Sequence, residues 1–126
     1  MNTGSKKILV IEDDPSLQDA YKAKFETEGF IVIQAEYAED GVKKAREHKP
    51  DCILLDILLP GGMDGMNVCL ELKKMSETKH IPIIMMTNVD DQISTSLDIG
   101  AVWYFVKSET SLDTLVEKIR EIFSHI

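Results

Sequence analysis

The chain has 126 residues, enough for one domain that buries roughly two thirds of its unfolded surface, so a single domain over 1–126 with its core in 6–124 is expected. Its 44% hydrophobic and 29% charged residues are those of a folded globular protein rather than a disordered or fibrous one. The 22 acids against 14 bases leave a net charge of −8, which argues against direct binding to nucleic acid or an anionic membrane and suits a cation.

Met1 to Lys7 holds no apolar leader core, and the longest apolar runs are broken by Asp56 and Pro60. Neither a signal peptide nor a membrane span is expected, and a cytoplasmic location follows. Lys7 to Ile11 reads as a first strand. Glu12-Asp13-Asp14-Pro15 follows it, and then a helix with Leu17, Ala20, Tyr21 and Phe25 on one face. Asp14 before Pro15 is the pairing of an N-cap acid with proline at the first helical position, which leaves Glu12 and Asp13 without that role. Gly29 closes the helix, Phe30 to Ile33 reads as a second strand, and Ala38 to Glu47 as a second helix with Val42 and Ala45 inward.

Lys49-Pro50 stops that helix, and Cys52 to Asp56 reads as a third strand, apolar until its last residue. A loop of proline and glycine leads into a third helix with Val68, Cys69 and Leu72 inward. Ile81 to Met86 is a fourth strand ending in Thr87-Asn88. A short helix around Asp91 to Ile99 stops at Gly100, and Val102 to Val106 is a fifth strand ending in Lys107. In the last helix Thr110-Ser111-Leu112-Asp113 has capping-box form, and Leu112, Leu115, Val116, Ile119, Ile122 and Phe123 form an apolar stripe.

Strands alternating with helices predict an α/β fold, a doubly wound five-stranded parallel sheet with order 2-1-3-4-5 and five helices. In that order the crevice opens at the carboxyl ends of the first and third strands, where Glu12, Asp13 and Asp56 stand, with Thr87 and Lys107 on the same rim. Singly, a strand-end threonine is a strand former, a strand-end lysine snorkels, and an acid pair caps a helix. Their convergence on one rim is what points to chemistry. Three crowded carboxylates repel one another unless a cation is bound, and an all-oxygen set suits Mg²⁺ rather than zinc. Beside Mg²⁺, Asp56 is placed to take a phosphoryl group as an aspartyl phosphate, with Lys107 pairing with one phosphoryl oxygen and the Thr87 hydroxyl donating to another. His48, His80 and His125 read as solvated surface residues, and Cys52 and Cys69 as buried small hydrophobes without metal-ligand spacing.

The segments ILVIEDD at Ile8 to Asp14, PDCILLDILLP at Pro50 to Pro60 with MDG at Met63 to Gly65, PIIMMT ending at Thr87, and GAVWYFVK from Gly100 to Lys107 resemble the response-regulator receiver domain of two-component phosphorelay signalling. The resemblance covers essentially the whole chain. It implies a flavodoxin-like receiver fold with Asp56 as phosphoacceptor, Glu12 and Asp13 as Mg²⁺ acids, and the Leu58 main-chain carbonyl as a further metal ligand. Thr87 and Lys107 would contact the phosphoryl group, and Tyr104 would be the aromatic switch that follows Thr87. The implied phosphodonor is a sensor histidine kinase or a histidine phosphotransfer protein. A downstream protein would read the face of the fourth helix, fifth strand and fifth helix, with the receiver a monomer or a phosphorylation-dependent dimer. The expected chemistry is self-phosphotransfer with slow autodephosphorylation, not enzymatic turnover. Because nothing after Ile126 serves as an output domain, either a stand-alone regulator like the chemotaxis receivers or a piece of a longer protein is expected.

The chain departs from the family pattern in several places. The loop after Asp56 has one glycine more, Asn88 stands where a small residue is usual, and Thr87 to Gly100 is shorter. Ser108 replaces the proline after Lys107, and a trans Lys107-Ser108 bond is expected, since a cis non-proline peptide costs about 3–4 kcal/mol. Leu58 and Val89 are apolar where polar groups often govern the approach of water, so a long-lived phosphorylated form is expected. A haloacid-dehalogenase-type Mg²⁺ phosphatase would need an acid where Leu58 stands. A flavin protein would need a phosphate cradle where Glu12-Asp13-Asp14 stand. A non-switching interaction module of the same fold is the other alternative.

Overall fold

The first three apolar runs form β1 (Lys7–Ile11), β2 (Ile31–Ala35) and β3 (Cys52–Asp56), and the last two form β4 (Ile83–Thr87) and β5 (Trp103–Val106). They pair in parallel in the order β2-β1-β3-β4-β5, as expected. The computed structural model describes residues 5–61, 63–88 and 99–125. Within these lie four α-helices: α1 (Pro15–Thr27), α2 (Ala38–His48), α3 (Gly65–Lys74) and α4 (Leu112–Ser124), the last being the fifth helix of the sequence reading. The helix predicted from Asp91, the place of Val89 and one of the two loop glycines, Gly62, lie outside the described residues. Among the described residues no helix is long and apolar enough to cross a membrane.

Alternation along the strands splits the core into two layers. Ile8, Val10, Cys52, Leu54, Ile84, Met86 and Phe105 pack beneath α1 and α4 against Tyr21, Phe25, Leu115, Val116 and Ile119. Leu9, Ile11, Ile53, Leu55, Ile83 and Met85 face the other way, against Ala38, Ala45, Val68, Cys69 and Leu72 of α2 and α3. The central strands β3 and β4 are buried at every residue, which is why they read as unbroken apolar runs.

Local chemistry sets the ends. Asp14 caps α1 by accepting from the backbone N–H of Ser16 at 2.8 Å and of Leu17 at 3.4 Å. The cap of α4 is Ser111, whose hydroxyl accepts from Thr114 N–H at 3.1 Å, so the helix starts one residue later than the Thr110 box predicts. Strand β4 begins at Ile83 rather than Ile81, because Pro82 has no N–H to give to the ladder. Strand β2 runs on to Ala35, whose carbonyl accepts from Glu12 N–H at 3.0 Å. On α1, Ala20 is exposed and Gln18 is buried, the reverse of a purely apolar stripe. Lys107–Glu109 forms a 3-10 turn that the sequence pattern does not announce. Its peptide bonds are trans, with no cis bond among the described residues.

Candidate functional site

Register brings the polar residues together. Ile11 lies opposite Leu55, so Glu12 and Asp56, the next residue on each strand, leave the sheet side by side. Asp56 pairs with Met86 and Thr87 with Val106, which carries Thr87 and then Lys107 to the same rim. Glu12, Asp56 and Thr87 are buried, while Asp13 is exposed. One carboxylate oxygen from each of Glu12, Asp13 and Asp56 lies within 4.8 Å of the others.

Lys107 spans the two buried acids. Its Nζ donates to Glu12 Oε1 at 2.5 Å and to Asp56 Oδ2 at 2.9 Å. The remaining carboxylate oxygens take backbone donors: Glu12 Oε2 accepts from Asp14 N–H at 3.0 Å, and Asp56 Oδ1 from Leu58 N–H at 3.1 Å. Burial pushes the Glu12 carboxyl up to about 7, against the pull of its bonds to Lys107 and Asp14 and with help from the nearby Asp56 charge. Burial also works against the Lys107 ammonium, but its bonds to Glu12 and Asp56 outweigh that and its pKa is raised. The lysine therefore stays cationic, and the cost of burial is felt at Glu12.

The structure thus assembles Glu12, Asp13, Asp56, Thr87 and Lys107 as the sequence predicts. Leu58 sits two residues past Asp56 and is 57% exposed. Tyr104 is half-buried and packs with the cluster beneath α2 and α3, while the next residue, Phe105, packs on the opposite layer. His48, His80 and His125 are exposed, and both cysteines are buried.

Two residues near the site have a place there that the sequence reading does not assign. Gln18 is buried and its amide nitrogen lies within hydrogen-bond distance of the carbonyls of Val10, Glu12 and Ala35. The signal for it is a polar residue on the inward stripe Gln18-Tyr21-Phe25, which must find internal partners. Gly65 opens α3 hard against the end of β3. A Cβ there would stand 2.1 Å from the Asp56 carbonyl oxygen, and its N–H donates to Ile57 O at 2.8 Å.

A doubly wound sheet with a lysine-bridged acidic rim at its topological switch point defines a narrow class of α/β protein. Residues 8–120 match the response regulator receiver domain, and the chain belongs to that family. It is 39% identical over 102 residues to the transcriptional regulatory protein AfsQ1 of Streptomyces coelicolor, an overlap of 79% of this chain and 44% of that protein. The chain spans less than half the length of the curated relatives it matches. Among solved structures, a CheY-like receiver domain from Methanospirillum hungatei superposes with a TM-score of 0.88 at 30% identity, over 97% of this chain and 96% of that one. The receiver domain of the sensor histidine kinase PA1611 from Pseudomonas aeruginosa, which holds a magnesium ion in its active-site cleft, superposes with a TM-score of 0.84 over 94% of this chain and 97% of its own. At 24% identity that second likeness speaks for the fold.

Proposed function

We propose that this receiver is a phosphorylation switch in which Asp56 accepts a phosphoryl group from a phosphohistidine, on a sensor histidine kinase or a histidine phosphotransfer protein. The observation that carries the reading is Lys107, which holds two buried carboxylates of adjacent strands at 2.5 and 2.9 Å. In the transfer an Asp56 carboxylate oxygen forms the bond to phosphorus as the N–P bond breaks, and the bonding pair leaves with the imidazole nitrogen. Lys107 turns from carboxylate to phosphoryl oxygen, and the Thr87 hydroxyl donates to another.

The donor set fits Mg²⁺: hard oxygens from Glu12, Asp13 and Asp56, close enough to share one ion, with no thiolate or imidazole among them. Those three, with the Leu58 main-chain carbonyl, would hold the ion. Bound there, Mg²⁺ supplies charge neutralisation to the transferring oxygens. The phosphoryl group adds up to about two negative charges at an already acidic rim, and the reorganisation of Lys107 and Thr87 is passed to Tyr104 and on to a downstream protein. The chemistry is a self-modification in the cytoplasm rather than multiple turnover. Leu58, two residues past the acceptor, offers no polar side chain to orient a water, which favours slow loss of the group.

Incubation with acetyl phosphate and Mg²⁺, followed by intact-mass measurement, tests the reading. A gain of one phosphoryl group is expected in the wild type, decaying slowly once the donor is removed, and none in Asp56→Asn. No gain in the wild type would overturn the switch and leave a non-switching module of the same fold.

A further inference from the structure

Gln18 takes no part in the phosphoryl chemistry, yet it is only 6% exposed and lies beneath the acidic loop. Its Nε2 lies 2.9 Å from Glu12 O, 2.9 Å from Ala35 O and 3.1 Å from Val10 O. Its own oxygens are held in turn, since Gln34 Nε2 donates to Gln18 Oε1 at 3.0 Å and to Gln18 O at 3.2 Å. The amide therefore ties the end of β1, including the residue whose side chain reaches Lys107, to the end of β2. Capping does not account for it, because Asp14 already caps α1. Filling does not either, because Tyr21 and Phe25 on the same stripe show that an apolar side chain serves there.

We propose that Gln18 is a positioning residue: by fixing the backbone from Val10 to Glu12 it presents the Glu12 and Asp13 carboxylates together, and so sets the affinity of the pocket for Mg²⁺. The inference rests on the phosphorylation switch proposed above. Groups that orient metal ligands from behind act on affinity more than on fold, and losing one typically weakens metal binding about 10- to 100-fold. Two amide hydrogens serve three carbonyls here, so a lysine ammonium, with three donors, is the replacement that suits the geometry.

The test is calorimetric titration of Mg²⁺ into the full chain, with thermal melts in its absence, for the wild type, Gln18→Met, Gln18→Lys and Gln34→Leu. Gln18→Met is expected to bind Mg²⁺ about tenfold more weakly, Gln34→Leu to fall between it and the wild type, and Gln18→Lys to recover the wild-type affinity. Equal affinity in Gln18→Met and wild type overturns the proposal, as does a weakening that merely tracks melting temperature across the three variants. If Gln18→Met does not fold, unchanged Mg²⁺ affinity in Gln34→Leu overturns it instead. A wild type that takes up neither Mg²⁺ nor phosphoryl group defeats the functional reading itself, whereas normal uptake with no dependence on Gln18 or Gln34 defeats this inference alone.

Discussion

Lys107 neutralises a pair of acids that have little access to water: its side chain is 9% exposed, that of Glu12 1% and that of Asp56 6%. Replacing it by methionine leaves two carboxylates facing each other. Removing one partner of a buried pair costs about 3–5 kcal/mol, but Glu12 can take up a proton, so Lys107→Met is expected to lose about 1–3 kcal/mol in urea unfolding at neutral pH. Mg²⁺ should then raise the unfolding midpoint of the variant more than that of the wild type, because the ion replaces the missing charge. An unchanged midpoint without Mg²⁺ would show that the lysine does not hold the pair. The five rim residues were legible in the sequence because each closes an apolar run with a group that has no business in a core. Gln18 was not, because an amide among apolar neighbours on a helix looks like an ordinary surface residue until the three carbonyls beneath it are seen.

Element boundaries depend on bonds between segments far apart in the chain, and this is where sequence reasoning slips. Strand β3 and the inward face of α3 are legible in their own residues. The start of β4, the cap of α4 and the 3-10 turn at Lys107 are not, because neighbouring strands and caps decide them. The link from β3 into α3 shows how tightly an element can be seated. A Cβ on Gly65 would meet the Asp56 carbonyl oxygen at 2.1 Å and Ile57 Cα at 2.7 Å, both backbone atoms that cannot swing aside. Gly65→Ala is therefore expected to cost about 1–3 kcal/mol by forcing α3 away from β3. Urea unfolding measures the cost, and slower phosphoryl uptake at Asp56 should accompany it. Full stability with normal uptake would mean that the loop has room the geometry does not show.

At the scale of the molecule, alternation of strands and helices makes the parallel sheet legible, and the switch-point rule places the crevice at the ends of β1 and β3. What the pattern could not supply was the state of the rim, in which the lysine spans two acids instead of waiting in solvent. Charge also acts at this scale. With 22 acids to 14 bases, the chain is expected to leave duplex DNA unshifted in a gel at physiological salt, whatever the sequence of the duplex. A salt-sensitive shift would contradict this. AfsQ1 is a transcriptional regulatory protein, but the shared stretch covers 44% of it, and contact with DNA is not carried over on that overlap.

Glu12 and Lys107 are separated by 95 positions in the chain, and the lysine follows directly on β5, a four-residue strand at the margin of the sheet. Were that margin to fray, the ammonium would leave both acids while β1 and β3 stayed paired. Among the described residues that strand is the shortest, and no excised peptide would hold both acids and the ammonium together.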